Sequence, residues 1–235
     1  YGHPLSELHE EKIKALTIGI PDEYFIDGMD PEVGTAVQDA IKEFEKMGVK
    51  VKRVSLPHSK NALSCYYILQ SAEVSSNLAR FDGIRYSSLS EKEREGKNLK
   101  DRYLLERGKG FGPEVKRRII LGTFVLSSGY YDAYYGKAQA VRNLIADDFA
   151  SAFKDVDVIL TPTSPTRAFK IGEKSDDPLS MYLCDIFAVP VNLAGLPGIS
   201  IPVKGVQGLP IGFQLIGKHW READILGLGR LYERT

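Results

Sequence analysis

Within the first 54 residues a strand, a helix and a second strand follow one another, and this succession constrains the fold more than any other feature. Residues 16–20 form a short apolar run that predicts a strand. Asp30 and Pro31 predict the N-cap and first residue of a helix, and Gly48 predicts its end. Residues 49–54 alternate in polarity and predict a second strand. Because one helix joins the two strands, we expect a parallel pair with a right-handed crossover, and hence an α/β fold.

The rest of the chain predicts a mixed β-sheet covered by α-helices. Helices are predicted at residues 61–79, 113–128 and 221–234, and strands at residues 156–161, 199–203 and 211–216, the last two as a hairpin. The run at 156–161 is almost continuously apolar, as in a central strand covered on both faces. Residues predicted to face the core at helical spacing are Val33, Val37, Ile41 and Phe44, then Tyr131, Tyr134, Ala138, Val141, Ile145, Phe149 and Ala152 of a further long helix.

Three further segments carry specific expectations. Residues 119–126 are apolar almost all round, which indicates a buried helix. Residues 87–112 are charged and interrupted by glycines, so we predict a surface excursion in which Gly108, Gly110 and Gly112 form a flexible turn rather than a phosphate-binding loop. The pair Ser127-Ser128 has no histidine nearby and is interpreted as a helix terminus, not a nucleophile. No repeat or linker divides the chain, so a single domain over residues 1–235 is predicted.

Composition excludes several classes of protein. Lys+Arg and Asp+Glu are both 31, which argues against a chain that holds nucleic acid by its own basic face. Two cysteines and four scattered histidines predict neither a disulfide framework nor a metal site. No apolar run reaches the roughly 18 residues of a membrane span, and no signal peptide opens the chain, so a cytoplasmic protein is predicted, or an organellar one in a eukaryote. The start without Met leads us to expect a fragment of a longer chain.

Asp185 is the one charged residue between Asp177 and Lys204, in an otherwise apolar stretch. A carboxylate there is not expected to be buried unless it is paired. Arg117 and Arg118 stand where the apolar helix begins, and an arginine fork suits a carboxylate. Two interpretations are open: Asp185 pairs with one of these arginines, or the charges face a cavity and bind the two ends of a zwitterionic ligand.

Several strings of residues resemble the amidase-signature family, and within it the A subunits of tRNA-dependent amidotransferases. The string from Asn77 to Gly83, Asn-Leu-Ala-Arg-Phe-Asp-Gly, separates that branch from general amidases. The strings that carry the resemblance are residues 72–86, 110–119, 126–135, 160–165, 177–182, 190–200 and 212–217.

The resemblance implies a glutamine pocket without its catalytic groups. The family uses a Ser–cis-Ser–Lys triad in a Gly/Ser-rich run, and this sequence contains no such run. The chain therefore resembles the C-terminal half only, and we assign it no catalytic residue. By the resemblance, Tyr66 belongs to the pocket, Arg118 binds the α-carboxylate of glutamine, and Asp185 binds its α-amino group.

The function implied is that of a glutaminase part, which releases ammonia from glutamine to convert Glu-tRNA(Gln) or Asp-tRNA(Asn) to Gln-tRNA(Gln) or Asn-tRNA(Asn). The resemblance implies B and C subunits as partners, with mischarged tRNA bound through the B subunit. It implies ATP and Mg²⁺ for the whole complex and no cofactor in this chain. Two alternatives remain: a non-catalytic binding module with an amidase fold, and part of another amidase-signature hydrolase.

Overall fold

The computed structural model describes residues 10–26, 28–87, 89–96, 98–174, 178–206 and 208–234, with backbone alone at 178–180. The chain divides into two compact units. One comprises Tyr1–Leu63 together with Val141–Thr235, and the other comprises Ser64–Ala140. The single domain expected over residues 1–235 stays a prediction.

A five-stranded mixed sheet forms the centre of the first unit, within the described residues. Its strands are β1 (Thr17–Pro21), β2 (Lys50–Val54), β3 (Val158–Pro162), β4 (Gly198–Pro202) and β5 (Gly212–Gly217). They lie in the order β2-β1-β3-β5-β4. β1 is parallel to β2 and to β3, whereas β5 is antiparallel to β3 and to β4. The predicted α/β class, the parallel pair and the hairpin are all confirmed.

Ten α-helices surround the strands or form the second unit in the described part of the chain. They are α1 (Glu10–Lys14), α2 (Pro31–Lys46), α3 (Ala62–Leu78), α4 (Glu91–Arg94), α5 (Leu99–Gly110), α6 (Pro113–Val125), α7 (Lys137–Ala152), α8 (Pro178–Leu183), α9 (Val189–Ala194) and α10 (Glu222–Glu233). Short 3-10 helices occur at Asp22–Tyr24 and Ser59–Asn61, and a π-helix at Tyr131–Gly136.

α2 shows why local signals were sufficient for the first β-α-β unit. The Asp30 carboxylate accepts from the Glu32 N–H at 2.9 Å, and Pro31 occupies the first turn, where no intrahelical donor is needed. Gly48 follows the helix with a φ of +89°, a conformation that favours glycine. Phe44, on the buried face, packs against Tyr232 with ring centroids 5.4 Å apart. Burying a side chain of this size contributes roughly 1.5–3 kcal/mol.

β3 confirms the prediction of a covered central strand, because all five of its residues are buried. Two further contacts fix its position beside β1. The Thr17 N–H donates to Asp157 Oδ2 at 3.1 Å, and Lys218, just after β5, pairs with Asp157 Oδ1 at 3.1 Å. The residue before the central strand is therefore tied to both neighbouring strands, β1 through Thr17 and β5 through Lys218.

The surface excursion predicted at residues 87–112 is confirmed, since Glu106 is the one buried residue among those described there. The flexible turn expected at Gly108, Gly110 and Gly112 is wrong, because the segment contains helices α4 and α5. α5 begins at an Asn98 side chain that accepts from the Asp101 N–H, and it continues through Gly108 and Gly110 without a turn. Glu106 anchors it: this carboxylate is buried and accepts from the Ser87 hydroxyl at 2.7 Å. The anchor comes from 19 residues away, so local composition gave no signal of it.

Two predictions of burial in the second unit are also wrong. Ile120, Leu121 and Phe124 of α6 are 71%, 40% and 45% exposed. α6 approaches α3 along a narrow line at Gly122, so only side chains beside that line are covered. Tyr131 and Tyr134 are exposed because they lie in the π-helix, whose wider turn breaks the 3.6-residue spacing. Beyond it, the stripe on α7 is confirmed as buried at Ala138, Ile145, Phe149 and Ala152.

Candidate functional site

Arg118 lies in the first half of α6, and three neighbours hold its guanidinium. Its Nε donates to Glu114 Oε1 at 2.8 Å, one helical turn earlier. Its Nη1 donates to Gln70 Oε1 on α3 at 2.7 Å. The Tyr67 ring centroid lies 5.1 Å from Cζ, within the range at which an aromatic face attracts a cation. Contacts from two helices therefore fix the direction of this guanidinium.

The environment of Arg118 keeps it positively charged and partly accessible. Partial burial alone would lower its pKa, but hydrogen bonds and charge interactions with Glu114 and Tyr67 outweigh that effect and raise the pKa above its ordinary value. The side chain is 21% exposed, so solvent reaches part of it. A fixed, charged and reachable guanidinium is chemically suited to an anionic group such as a carboxylate.

Tyr66 lies beside this cluster on α3. Its half-buried ring meets the edge of the Tyr67 ring, with centroids 5.4 Å apart and planes at 90°. Just before it, the buried Cys65 thiol donates to the Ala138 carbonyl at 3.1 Å, which ties α3 to the beginning of α7. The Tyr66 ring therefore contacts the ring of Tyr67, which in turn packs against the Arg118 guanidinium.

Asp185 belongs to the first unit, in the turn between α8 and α9. Its carboxylate is exposed and makes no hydrogen bond or ion pair with any residue of the described ranges. The Asp185 main-chain carbonyl accepts from the N–H groups of Ala188 and Val189, both at 3.0 Å, where α9 begins. The expectation that this carboxylate is not buried without a partner is confirmed.

The turn that carries Asp185 is attached to the core through Phe187. The Phe187 ring is buried and stacks on Tyr24, with centroids 5.4 Å apart and planes at 26°. The main-chain carbonyl of Phe187 accepts a hydrogen bond from Gln214 Nε2 at 2.8 Å. Tyr24 is itself buried, and burial together with the nearby charges of Glu23 and Asp148 raises its pKa far above the ordinary value.

One interpretation of the sequence pairs Asp185 with Arg117 or Arg118. In the structure, both arginines bind a different carboxylate. Arg117 and Arg118 each bind Glu114, through its two carboxylate oxygens. Glu114 was missed, although its spacing of three and four residues from the arginines on one helix is the ordinary signal for such pairs. Gln70 lies 48 residues from Arg118, and nothing local in the sequence indicated it.

Two other kinds of feature are absent from the part of the chain that the structure describes. No group of three or more His, Cys, Asp or Glu side chains is arranged to hold a metal ion. No helix there has both the length and the apolar character needed to cross a membrane.

The mixed sheet with its helical cover and the strings of residues noted above define a class of protein. The chain belongs to the amidase family, whose model, described as Amidase, matches residues 2–226. This confirms the predicted family and fold.

Among curated proteins, the chain is similar to the A subunit of glutamyl-tRNA(Gln) amidotransferase. The Myxococcus xanthus protein is 54% identical over 226 residues, which cover 96% of this chain and 46% of that protein. The Parvibaculum lavamentivorans protein is 57% identical over 217 residues, covering 92% and 43%. The crystal structure of the Thermotoga maritima protein superposes with a TM-score of 0.72 at 36% identity, over 100% of this chain and 46% of that one. The chain thus spans about half the length of the curated relatives it matches.

Proposed function

We propose that this chain is the glutamine-binding part of the glutaminase subunit of a tRNA-dependent amidotransferase. The observation that carries the proposal is the 54% identity, over 96% of the chain, to the A subunit of the Myxococcus xanthus glutamyl-tRNA(Gln) amidotransferase. The whole subunit releases ammonia from glutamine, and the ammonia converts Glu-tRNA(Gln) or Asp-tRNA(Asn) to Gln-tRNA(Gln) or Asn-tRNA(Asn).

Three side chains bind the amino-acid end of glutamine in this proposal. Arg118 takes the α-carboxylate, because its guanidinium is charged, fixed in direction and partly exposed. Tyr66 lies beside the aromatic ring that supports Arg118 and contacts the substrate there. Asp185 takes the α-amino group, which is supported by an exposed carboxylate without a partner in the described residues. When Arg118 and Asp185 bind the two charged ends of the glutamine zwitterion, the side-chain amide is the group that remains to be attacked.

Hydrolysis of that amide needs a nucleophile and a base, which we assign to a Ser–cis-Ser–Lys triad outside this chain. The sequence has no Gly/Ser-rich run to carry such a triad. Orientation of a substrate without a reacting group gives no turnover. The 235-residue chain should therefore release no glutamate from glutamine above the rate in buffer.

The partners are the B and C subunits of the amidotransferase, and the compartment is the cytoplasm. The B subunit binds the mischarged tRNA, which agrees with a chain whose formal net charge is zero. ATP and Mg²⁺ activate the tRNA-bound carboxyl group in the partner's active site. This chain itself holds no cofactor.

The experiment is a paired assay of amidation by the full-length subunit in its complex, with glutamine and then with free ammonia. Asp185→Asn is nearly isosteric but cannot complement an ammonium charge, so kcat/KM for glutamine should fall about ten- to a hundredfold. The ammonia-dependent rate should not change, because the partner's active site is untouched. Asp147→Asn, at an exposed carboxylate on α7, is the matched control.

A panel of amides given to the full-length protein, together with this paired assay, separates the other two functions. Equal loss with glutamine and ammonia in Asp185→Asn would make this residue structural and contradict its assigned role. Hydrolysis of other amides in preference to glutamine would identify a different amidase-signature hydrolase. No turnover of any amide by the full-length protein would support a binding module.

A further inference from the structure

The turn that carries Asp185 is short, and two buried anchors hold it. On its C-terminal side, α9 begins with residues whose side chains are buried, Val189 and Pro190 among them. Within the turn, the Phe187 ring stacks on Tyr24 beneath it. The exposed Asp185 carboxylate is thus two residues away from a ring that is fixed in the core.

Gln214 supplies a third anchor from the sheet. It lies in β5, where its side chain is buried, and Nε2 donates to the Phe187 carbonyl and to Thr161 Oγ1, both at 2.8 Å. The Pro162 carbonyl is a third, longer acceptor at 3.4 Å. Carbonyl oxygens only accept hydrogen bonds, so the N–H end of the amide must face them. One buried amide therefore connects β3 and the turn, 53 and 27 residues away along the chain.

This connection fixes the main chain on which Asp185 sits. The Phe187 carbonyl is held by Gln214, and the Asp185 carbonyl is held by the N–H groups of Ala188 and Val189. A main chain fixed at residues 185 and 187 determines the direction in which the Asp185 side chain leaves it. Loss of the amide would leave the buried Phe187 carbonyl without this donor, which costs free energy and favours a shift of the turn.

We propose that Gln214 is a positioning residue for substrate: it acts through Phe187 to hold the Asp185 carboxylate toward the α-amino group of glutamine. The inference rests on the proposed function of Asp185. It adds a residue of the central sheet to the determinants of glutamine affinity, although Gln214 is buried and does not itself contact the substrate.

The first test measures hydrogen exchange in the full-length subunit and does not depend on glutamine. In Gln214→Met, the amide protons of Ala188 and Val189 should exchange at least about tenfold faster than in wild type, the change expected from about 1.4 kcal/mol. Thr161→Val removes the other strong acceptor of the same amide but keeps the bond to Phe187, so exchange there should stay near wild type. Equal exchange in Gln214→Met and wild type would overturn the inference.

The second test measures KM and kcat for glutamine with the full-length subunit in its complex. Gln214→Met should raise KM roughly 5- to 30-fold with kcat and the ammonia-dependent rate nearly unchanged. Thr161→Val should weaken the sheet without raising KM, a separation that a purely structural role of Gln214 would not produce. Gln214→Leu also removes the donor without adding a charge, and it replaces the Met variant if that one does not fold.

The results distinguish the inference from the function on which it rests. If Asp185→Asn raises KM and Gln214→Met does not, the inference is wrong and the proposed function stands. If Asp185→Asn leaves KM unchanged, the proposed role of Asp185 fails and the positioning role of Gln214 fails with it.

Discussion

Arg118 illustrates how one side chain is prepared for a ligand by contacts that lie within its own unit. Glu114 and Gln70 bind separate nitrogens of the guanidinium, and Tyr67 packs against its face. A lysine would keep the charge but lose the planar fork that makes two bonds in fixed directions. The value of Arg118 therefore lies in its geometry as much as in its charge.

We predict that Arg118→Lys in the full-length subunit lowers kcat/KM for glutamine ten- to a hundredfold. A hydrogen bond to a charged group contributes roughly 1.5–3 kcal/mol, which corresponds to this range. Arg117→Lys is the control, because Arg117 is the adjacent residue, is 54% exposed and also binds Glu114. Kinetics with glutamine and with ammonia measure the effect, and parallel loss of both rates would indicate a structural role for Arg118.

At the scale of elements, the contact between α3 and α6 depends on the absence of a side chain. A Cβ added at Gly122 would lie 1.9 Å from the Ser71 carbonyl oxygen, so the two helix backbones are almost in contact. Such an approach cannot relax by rotating a flexible side chain, because the obstructing atom belongs to a helix backbone. Since α3 carries Tyr66 and Gln70, and α6 carries Arg118, this contact sets the spacing of the candidate site.

We predict that Gly122→Ala lowers the free energy of unfolding by at least about 1–3 kcal/mol, the usual cost of overpacking. Gly108→Ala is the matched control: this glycine lies in α5 with nothing within 4 Å of an added Cβ. There the substitution should be neutral or stabilising by roughly 0.5–1 kcal/mol. Urea denaturation of both variants measures the difference, and equal stabilities would contradict the close contact.

Elements with local signals were predictable, and contacts across long stretches of chain were not. α2 was found because Asp30, Pro31 and Gly48 each act within a few residues of its ends. α5 was missed because it depends on Glu106 meeting Ser87, and its glycines argued locally for a turn. At the candidate site, sequence singled out Arg118, whereas the Gln70 contact depends on how α3 and α6 pack and left no local pattern. The assignment of Tyr66, Arg118 and Asp185 to glutamine stays a prediction.

At the scale of the whole molecule, the two edges of the sheet differ in charge. β2 carries Lys50, Lys52 and Arg53, and such charges discourage pairing with another strand. β4, at the other edge, reads Gly-Ile-Ser-Ile-Pro and has no charge, and beside it lies a cavity of about 890 Å³ lined partly by Ile13 and Leu226. The groove is also lined by Glu10, Arg230, Glu233 and Arg234, so it is the uncharged edge of β4 that favours association between copies of the chain.

We predict that the 235-residue chain self-associates through β4 as its concentration rises. Ser200→Lys places a charge on the exposed side of that edge and should shift the association to at least about tenfold higher concentration. Ser151→Lys, at an exposed position on α7, is the control and should leave it unchanged. Sedimentation velocity over a wide concentration range measures both, and a monomer at every concentration would contradict the prediction.

The place of β3 between β1 and β5 also determines when the sheet can be completed during protein synthesis. β1 and β2 are synthesised before β3, and the Asp157 carboxylate that caps the β1–β3 contact lies 140 positions after its partner Thr17. At 5–20 residues per second, translation of that interval takes roughly 7–28 s. Throughout that time, the edge of β1 that later pairs with β3 lacks that partner strand. The nascent chain therefore exposes an apolar sheet edge until β3 has been synthesised.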